Sequence, residues 1–145
     1  HGGGLMQLRV RIELRGRLVR DAPDVLERYI GYGVREIVEA GEQRLDEMLR
    51  PRPAGVYLSV QDAQKGKAST GYYRAHLHAV SRGLRGRIDD GKVVYGPWLE
   101  GVSTRNQATR FKGYASFRRT AQYLQERAPE IMEGQLNRAV RAING

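Results

Sequence analysis

Two histidines, His76 and His78, and two adjacent carboxylates, Asp89 and Asp90, are the side chains whose types and spacing could do metal or acid–base chemistry. Histidines at i and i+2 share one face of a strand and can ligate a metal together. Beyond them the chain offers only His1 and no cysteine, so the donor set is short and two exposed strand histidines are the plainer reading. Asp89 and Asp90 lie ahead of Gly91-Lys92 in a turn, which points them apart rather than at one substrate. No Gly-x-Ser-x-Gly elbow, phosphate loop or dinucleotide fingerprint accompanies them. The expectation is no catalytic residue, no metal, no cofactor and no small-molecule substrate.

A third group does a different chemistry. Between Val93 and Arg119 the chain places its only Trp, both Phe, two Tyr and a run of basic side chains around one carboxylate, Glu100. Aromatics and arginines are enriched where protein surfaces bury one another, so this stretch reads as a contact surface. The same cations also permit nucleic-acid binding. Arg82, Arg85, Arg87, Lys92, Arg105, Arg110, Lys112, Arg118 and Arg119 would neutralise phosphates, with Trp98, Phe111 or Tyr114 as stacking platforms. No helix-turn-helix, zinc finger or RNA-binding aromatic signature joins them, and a basic nucleic-acid-binding protein stays as the alternative function.

The 145 residues suffice for one domain with its own core. His1 to Leu5 are read as the end of a tag or linker, with the domain running over 6–145 and Met6 as native start. Without cysteine there are no disulfides and no thiolate sites, which fits a reducing compartment. No apolar run approaches the roughly 18 to 20 residues of a bilayer span, so no membrane is expected and the chain reads as soluble. Net charge is +9, and it is segregated: residues 21–50 hold eight acidic and four basic side chains, residues 81–120 nine basic and three acidic. A basic block of this kind favours a polyanion or an acidic partner surface.

Certain elements must position these groups. Leu8, Val10, Ile12 and Leu14 alternate with Arg9, Arg11 and Glu13, which predicts a half-buried strand. Asp21 and Pro23 predict a helix start, and apolar positions from Leu26 to Leu49 carry one long helix to Arg50, its outer face rich in Glu27, Glu36, Glu39, Glu42, Asp46 and Glu47. Gly31, Gly33 and Gly41 within it mean either a tolerated loss of helix propensity or close packing of another element. Further strands are predicted at 56–60, at Tyr72–Val80 and, after a hairpin turn at Asp89–Lys92, at Val93–Tyr95. A mobile loop is expected near 61–70. Gly101 to Lys112 reads as a long polar connection. Helical spacing follows over 114–127 and 129–143, with Pro129 opening a second helix or kinking a single one. The fold class is α+β: a small antiparallel sheet packed against one long helix and C-terminal helices.

Tyr95-Gly96-Pro97-Trp98-Leu99-Glu100-Gly101, then Arg105-Asn106, Thr109-Arg110-Phe111-Lys112-Gly113-Tyr114 and Phe117-Arg118, resembles a block of the neck and tail-completion proteins of long-tailed double-stranded DNA phages, especially those infecting actinobacteria. The likeness covers residues 93–122; elsewhere it is one of layout. It implies a small structural subunit, made in the bacterial host cytoplasm and placed in the virion as part of a head–tail connector, tail-completion or tail-terminator ring. The ring, commonly of six copies, contacts other neck proteins and the tail tube protein, and genomic DNA passes its channel. Carried onto this chain, the resemblance puts Tyr95, Trp98 and Glu100 at a strand end and turn, with Arg105, Arg110, Phe111, Lys112 and Tyr114 on the loop that follows. Glu100, Arg105, Arg110, Phe111, Lys112, Tyr114, Arg118 and Arg119 are read as a subunit or layer contact, and Trp98 and Phe117, by residue type, as core anchors. Glu100 is expected to pair with Arg105 or Arg110, and Glu100→Lys to weaken assembly while the monomer stays folded.

Overall fold

The computed structural model describes residues 10–15, 24–49 and 72–145. The expected strand at 56–60, the loop at 61–70, the helix start at Asp21–Pro23 and the His1–Leu5 segment lie outside the described residues. The elements are β1 (Arg11–Arg15), α1 (Asp24–Met48), α2 (Tyr72–Ala75), β2 (His78–Arg82), β3 (Arg85–Asp89), α3 (Gly96–Glu100), α4 (Thr104–Ala108) and α5 (Ser116–Asn144). The three strands form an antiparallel sheet in the order β1-β3-β2. The fold is α+β, with α1 and α5 packed beside this sheet.

Alternation decides which face of the sheet is covered. Ile12 and Ile88 are directly paired and buried, and Ala79 continues their row on β2. Gly86 sits beneath α1, where a β-carbon would collide with the Val38 side chain. The odd positions of β1 and β3 and the even ones of β2 fall on the opposite face, which no described element covers.

α1 buries Val34, Ile37, Val38 and Leu45, a stripe at helical spacing. Leu45 is fully enclosed, which contributes about 1.5 to 3 kcal/mol from removal of apolar surface from water. A β-carbon on Gly33 would meet Met132, and one on Gly41 would meet both Ile88 and Leu124. These contacts decide between the two readings of the helix glycines: another element packs closely there. They also show that α5 runs antiparallel to α1. At 29 residues, α5 is about 43 Å long. It contributes Phe117, Leu124, Ile131 and Ala139 to the core, whereas Leu136, Val140 and Ile143 near its end are exposed.

Several expectations are corrected here. Tyr72–Val80 is not one strand. Tyr72–Ala75 form a single helical turn that buries Tyr73, and β2 begins only at His78. His76 lies in the turn between them, so it shares no strand face with His78. The hairpin turn is Gly83-Leu84, with Gly83 in the left-handed region, and not Asp89–Lys92. Val93–Tyr95 is a turn instead of a strand: Val93 is buried and Val94 almost fully exposed. Pro129 does not open a second helix: it lies exposed within α5, a single helix from Ser116 to Asn144.

Candidate functional site

The Val93–Arg119 block starts from a buried carboxylate. Asp90 leaves β3 pointing inward, where its Oδ2 accepts a hydrogen bond from the Tyr73 hydroxyl at 2.9 Å and its Oδ1 one from the Lys92 amide at 3.1 Å. Asp89 points outward, within 3.0 Å of the Arg87 guanidinium. Burial pushes the Asp90 carboxyl above its ordinary value, partly offset by the Tyr73 and Lys92 hydrogen bonds. The sign follows directly: such a carboxyl contributes stability present below its ordinary value of 3.8 and lost as pH rises through the elevated folded-state value. In melts from neutral pH downward, the wild-type chain will therefore gain stability relative to Asp90→Asn. A difference that stays constant with pH would overturn this.

Pro97 then sits in the first turn of α3, where a missing N–H costs nothing. α3 buries Trp98 and Leu99 and stops at Gly101, which takes a left-handed φ of 98° and donates its amide to the Pro97 carbonyl at 2.9 Å. Ser103 caps α4 in a reciprocal box with Asn106. Asn106 is buried and uses its whole amide. Its Oδ1 accepts from the Ser103 amide and hydroxyl, and its Nδ2 donates to the carbonyls of Trp98 at 3.0 Å and Phe111 at 3.1 Å. One side chain thus ties the start, middle and end of the segment together.

The segment closes on itself at its base. The Tyr114 amide donates to the Leu99 carbonyl at 2.7 Å, and Gly113, at φ 88°, lies against Gly101 so tightly that a β-carbon on either would collide with backbone of the other strand of the loop. Above this base Phe111 bridges Trp98 and Tyr114, with ring centroids 4.8 and 5.0 Å away. The Arg105 guanidinium lies 4.6 Å from the Trp98 ring centre, a cation–π contact over an otherwise covered indole. Lys112 Nζ donates to the Asn106 carbonyl at 2.8 Å, at the end of α4. The Gly101–Lys112 connection is therefore an ordered knot built around a five-residue helix.

Glu100 does not pair with Arg105 or Arg110. Its two carboxylate oxygens accept the backbone amides of Phe117 at 2.8 Å and Arg118 at 2.9 Å, so it caps the first turn of α5. That cap is needed because Ala115, the residue before the helix, has no side-chain acceptor and is itself left-handed. Burial pushes the Glu100 carboxyl up, while the two amides and the nearby Arg118 and Arg119 cations pull it down. The net direction is upward because the hydration lost on burial outweighs what the two amides and the two cations restore.

The structure thus sorts the sequence-derived contact residues into two sets. Trp98 and Phe117 are buried in the core; Phe111 and Tyr114 are half-buried against them; Glu100 faces inward. Arg105, Arg110, Lys112, Arg118 and Arg119 are exposed, and of these Arg105, Lys112 and Arg119 also brace the knot, Arg119 through the Tyr114 carbonyl at 3.1 Å. Asn106 stands in the block that carries the resemblance and Asp90 in the Asp89–Asp90 turn pair, but neither reads from residue type as an anchor of this segment. The Ser103-x-x-Asn106 spacing was the available signal for the first. Among the described residues no three His, Cys, Asp or Glu side chains converge, and no helix is long and apolar enough to cross a membrane. Comparison of the chain with protein-family models, with curated proteins and with solved structures finds no match.

Proposed function

We propose that this chain is a non-enzymatic structural subunit of the neck of a long-tailed double-stranded DNA phage, forming a connector, tail-completion or tail-terminator ring around the DNA path. The reading draws on the resemblance of residues 93–122, and one observation carries it. The block that bears the likeness spends its polar side chains on holding its own backbone, through Asn106, Glu100 and Lys112, and leaves Arg110, Arg118 and an exposed Val102 outward. A rigid, prearranged surface of cations and one apolar side chain suits docking against protein, since little ordering cost remains to be met on binding.

The test is location and consequence. In purified particles of the encoding phage, labelled protein is expected at the head–tail junction, in about six copies by mass measurement. A phage lacking it should accumulate filled heads and detached tails. Intact infectious particles without the protein would overturn the reading.

A further inference from the structure

We infer that the sheet face that no described element covers receives the outer face of α1 from a second copy of this chain. The inference rests on the ring reading above and names the surfaces that would join neighbouring subunits.

The register builds the first surface. Arg85 and Arg82 occupy directly opposed positions on β3 and β2. Like charges set opposite one another on a sheet repel. Elsewhere on this face the cations have partners: Arg87 lies 3.0 Å from Asp89 and Arg11 3.5 Å from Glu13. Arg82 and Arg85 are exposed. Among the described residues these two cations have no ion-pair partner, and they stand at one end of a sheet face that no described element covers. In the middle row, opposite Arg87, stands Val80, 52% exposed.

The second surface is the solvent side of α1. Glu36, Glu39, Glu42 and Glu47 are exposed there, with no ion pair among the described residues, and Gln43 lies in the middle of their stripe. Side chains three residues apart on a helix are separated by about 4.5 Å along its axis, and neighbouring strands lie about 4.8 Å apart. A helix laid across the strands thus brings successive carboxylates over successive strands.

Geometry makes the contact intermolecular. α1 already packs against the inner face of its own sheet through Val34 and Val38, so its outer stripe points away from that sheet and cannot reach the sheet's other side. Two different surfaces on one chain that match each other form a heterologous interface, which closes into a ring when the rotation per subunit allows. A protein fits this face better than a phosphate backbone does. Val80 offers an apolar centre that a protein side chain can cover and a phosphate backbone does not use.

The experiment is a charge exchange read by sedimentation at low salt, with far-UV circular dichroism confirming helix content. One variant carries Arg82→Glu and Arg85→Glu, the other Glu39→Arg and Glu42→Arg. Each alone opposes like charges and should associate at least tenfold more weakly than the wild-type chain. Mixed in equal amounts they present complementary pairs in both directions, and association should return to within about threefold of wild type. As a second route the cysteine-free chain is used with otherwise native charges: Val80→Cys copies mixed with Gln43→Cys copies should form a disulfide-linked pair under mild oxidation. Wild-type association by both charge variants, absence of rescue together with absence of the cross-link, or a wild-type chain that stays monomeric at low salt would each overturn the inference. So would duplex DNA binding by the wild-type chain that the arginine variant loses while self-association is unchanged. Rings that persist in both variants would remove this contact while leaving the neck-subunit reading standing; particles intact without the protein would remove that reading instead.

Discussion

Gly113→Ala will lower the melting temperature of the isolated chain by on the order of 15 °C, a loss of about 3 to 5 kcal/mol. Two costs add. Gly113 holds a φ of 88°, which an L side chain rarely adopts, and its added methyl would collide with Gly101 and with the backbone of Glu100. Neither neighbour is the yielding end of a side chain. Backbone would have to move, and the backbone there is tied by the Tyr114–Leu99 hydrogen bond. Gly134→Ala is the internal control, because that glycine is exposed within α5 and a β-carbon on it meets nothing within 4 Å. It should stabilise the chain by about 0.5 to 1 kcal/mol. If Gly113→Ala melts with the wild-type protein, the loop is not closed at Gly101 and Gly113.

Glu100→Lys will destabilise the monomer itself, by roughly 3 to 4 kcal/mol in denaturant titration. The resemblance alone implied a folded monomer with a damaged contact. The structure reverses that expectation, because the carboxylate is the cap of α5 and not a surface partner of an arginine. A lysine leaves the Phe117 and Arg118 amides without their acceptor, and it brings a cation to the positive end of the helix beside Arg118 and Arg119. Glu100→Gln should cost less. Burial already makes the charge of this carboxyl expensive, and a neutral amide oxygen still accepts one of the two bonds. Equal denaturation midpoints for Glu100→Lys and wild type would show that the cap contributes nothing.

The parts of the fold that were legible in the residues are those where burial alone sets the pattern. Ile12 and Leu14 alternate because one face of β1 is covered, and Val34, Ile37, Val38 and Leu45 follow a helical stripe because α5 and the sheet lie along it. The misread parts are those where two elements meet within a few residues. Tyr73, Ala75, Leu77 and Ala79 alternate like a strand, yet the chain turns at His76, and Tyr73 is buried by a helical turn that aims its hydroxyl at Asp90. Val93 and Val94 read as strand through side-chain type, although only one of them is buried. Proline cannot donate to a sheet, so by residue type Gly96-Pro97 marks the end of a strand; the same missing donor suits the first turn of a helix, where Pro97 lies. Around the candidate site, aromatic and basic content located the segment correctly. It could not reveal the hydrogen bonds of Asn106 and Glu100, which depend on backbone groups that composition does not register.

Trp98 is the single tryptophan of the chain and sits inside the knot, with Phe111 on one side and the Arg105 cation over its ring. The long helices, by contrast, hold no indole. The molecule thus separates its two optical signals by location: indole emission belongs to the loop and its base, and peptide ellipticity belongs mainly to α1 and α5. Events at the proposed contact block can be seen apart from the integrity of the scaffold, without attaching a label to either.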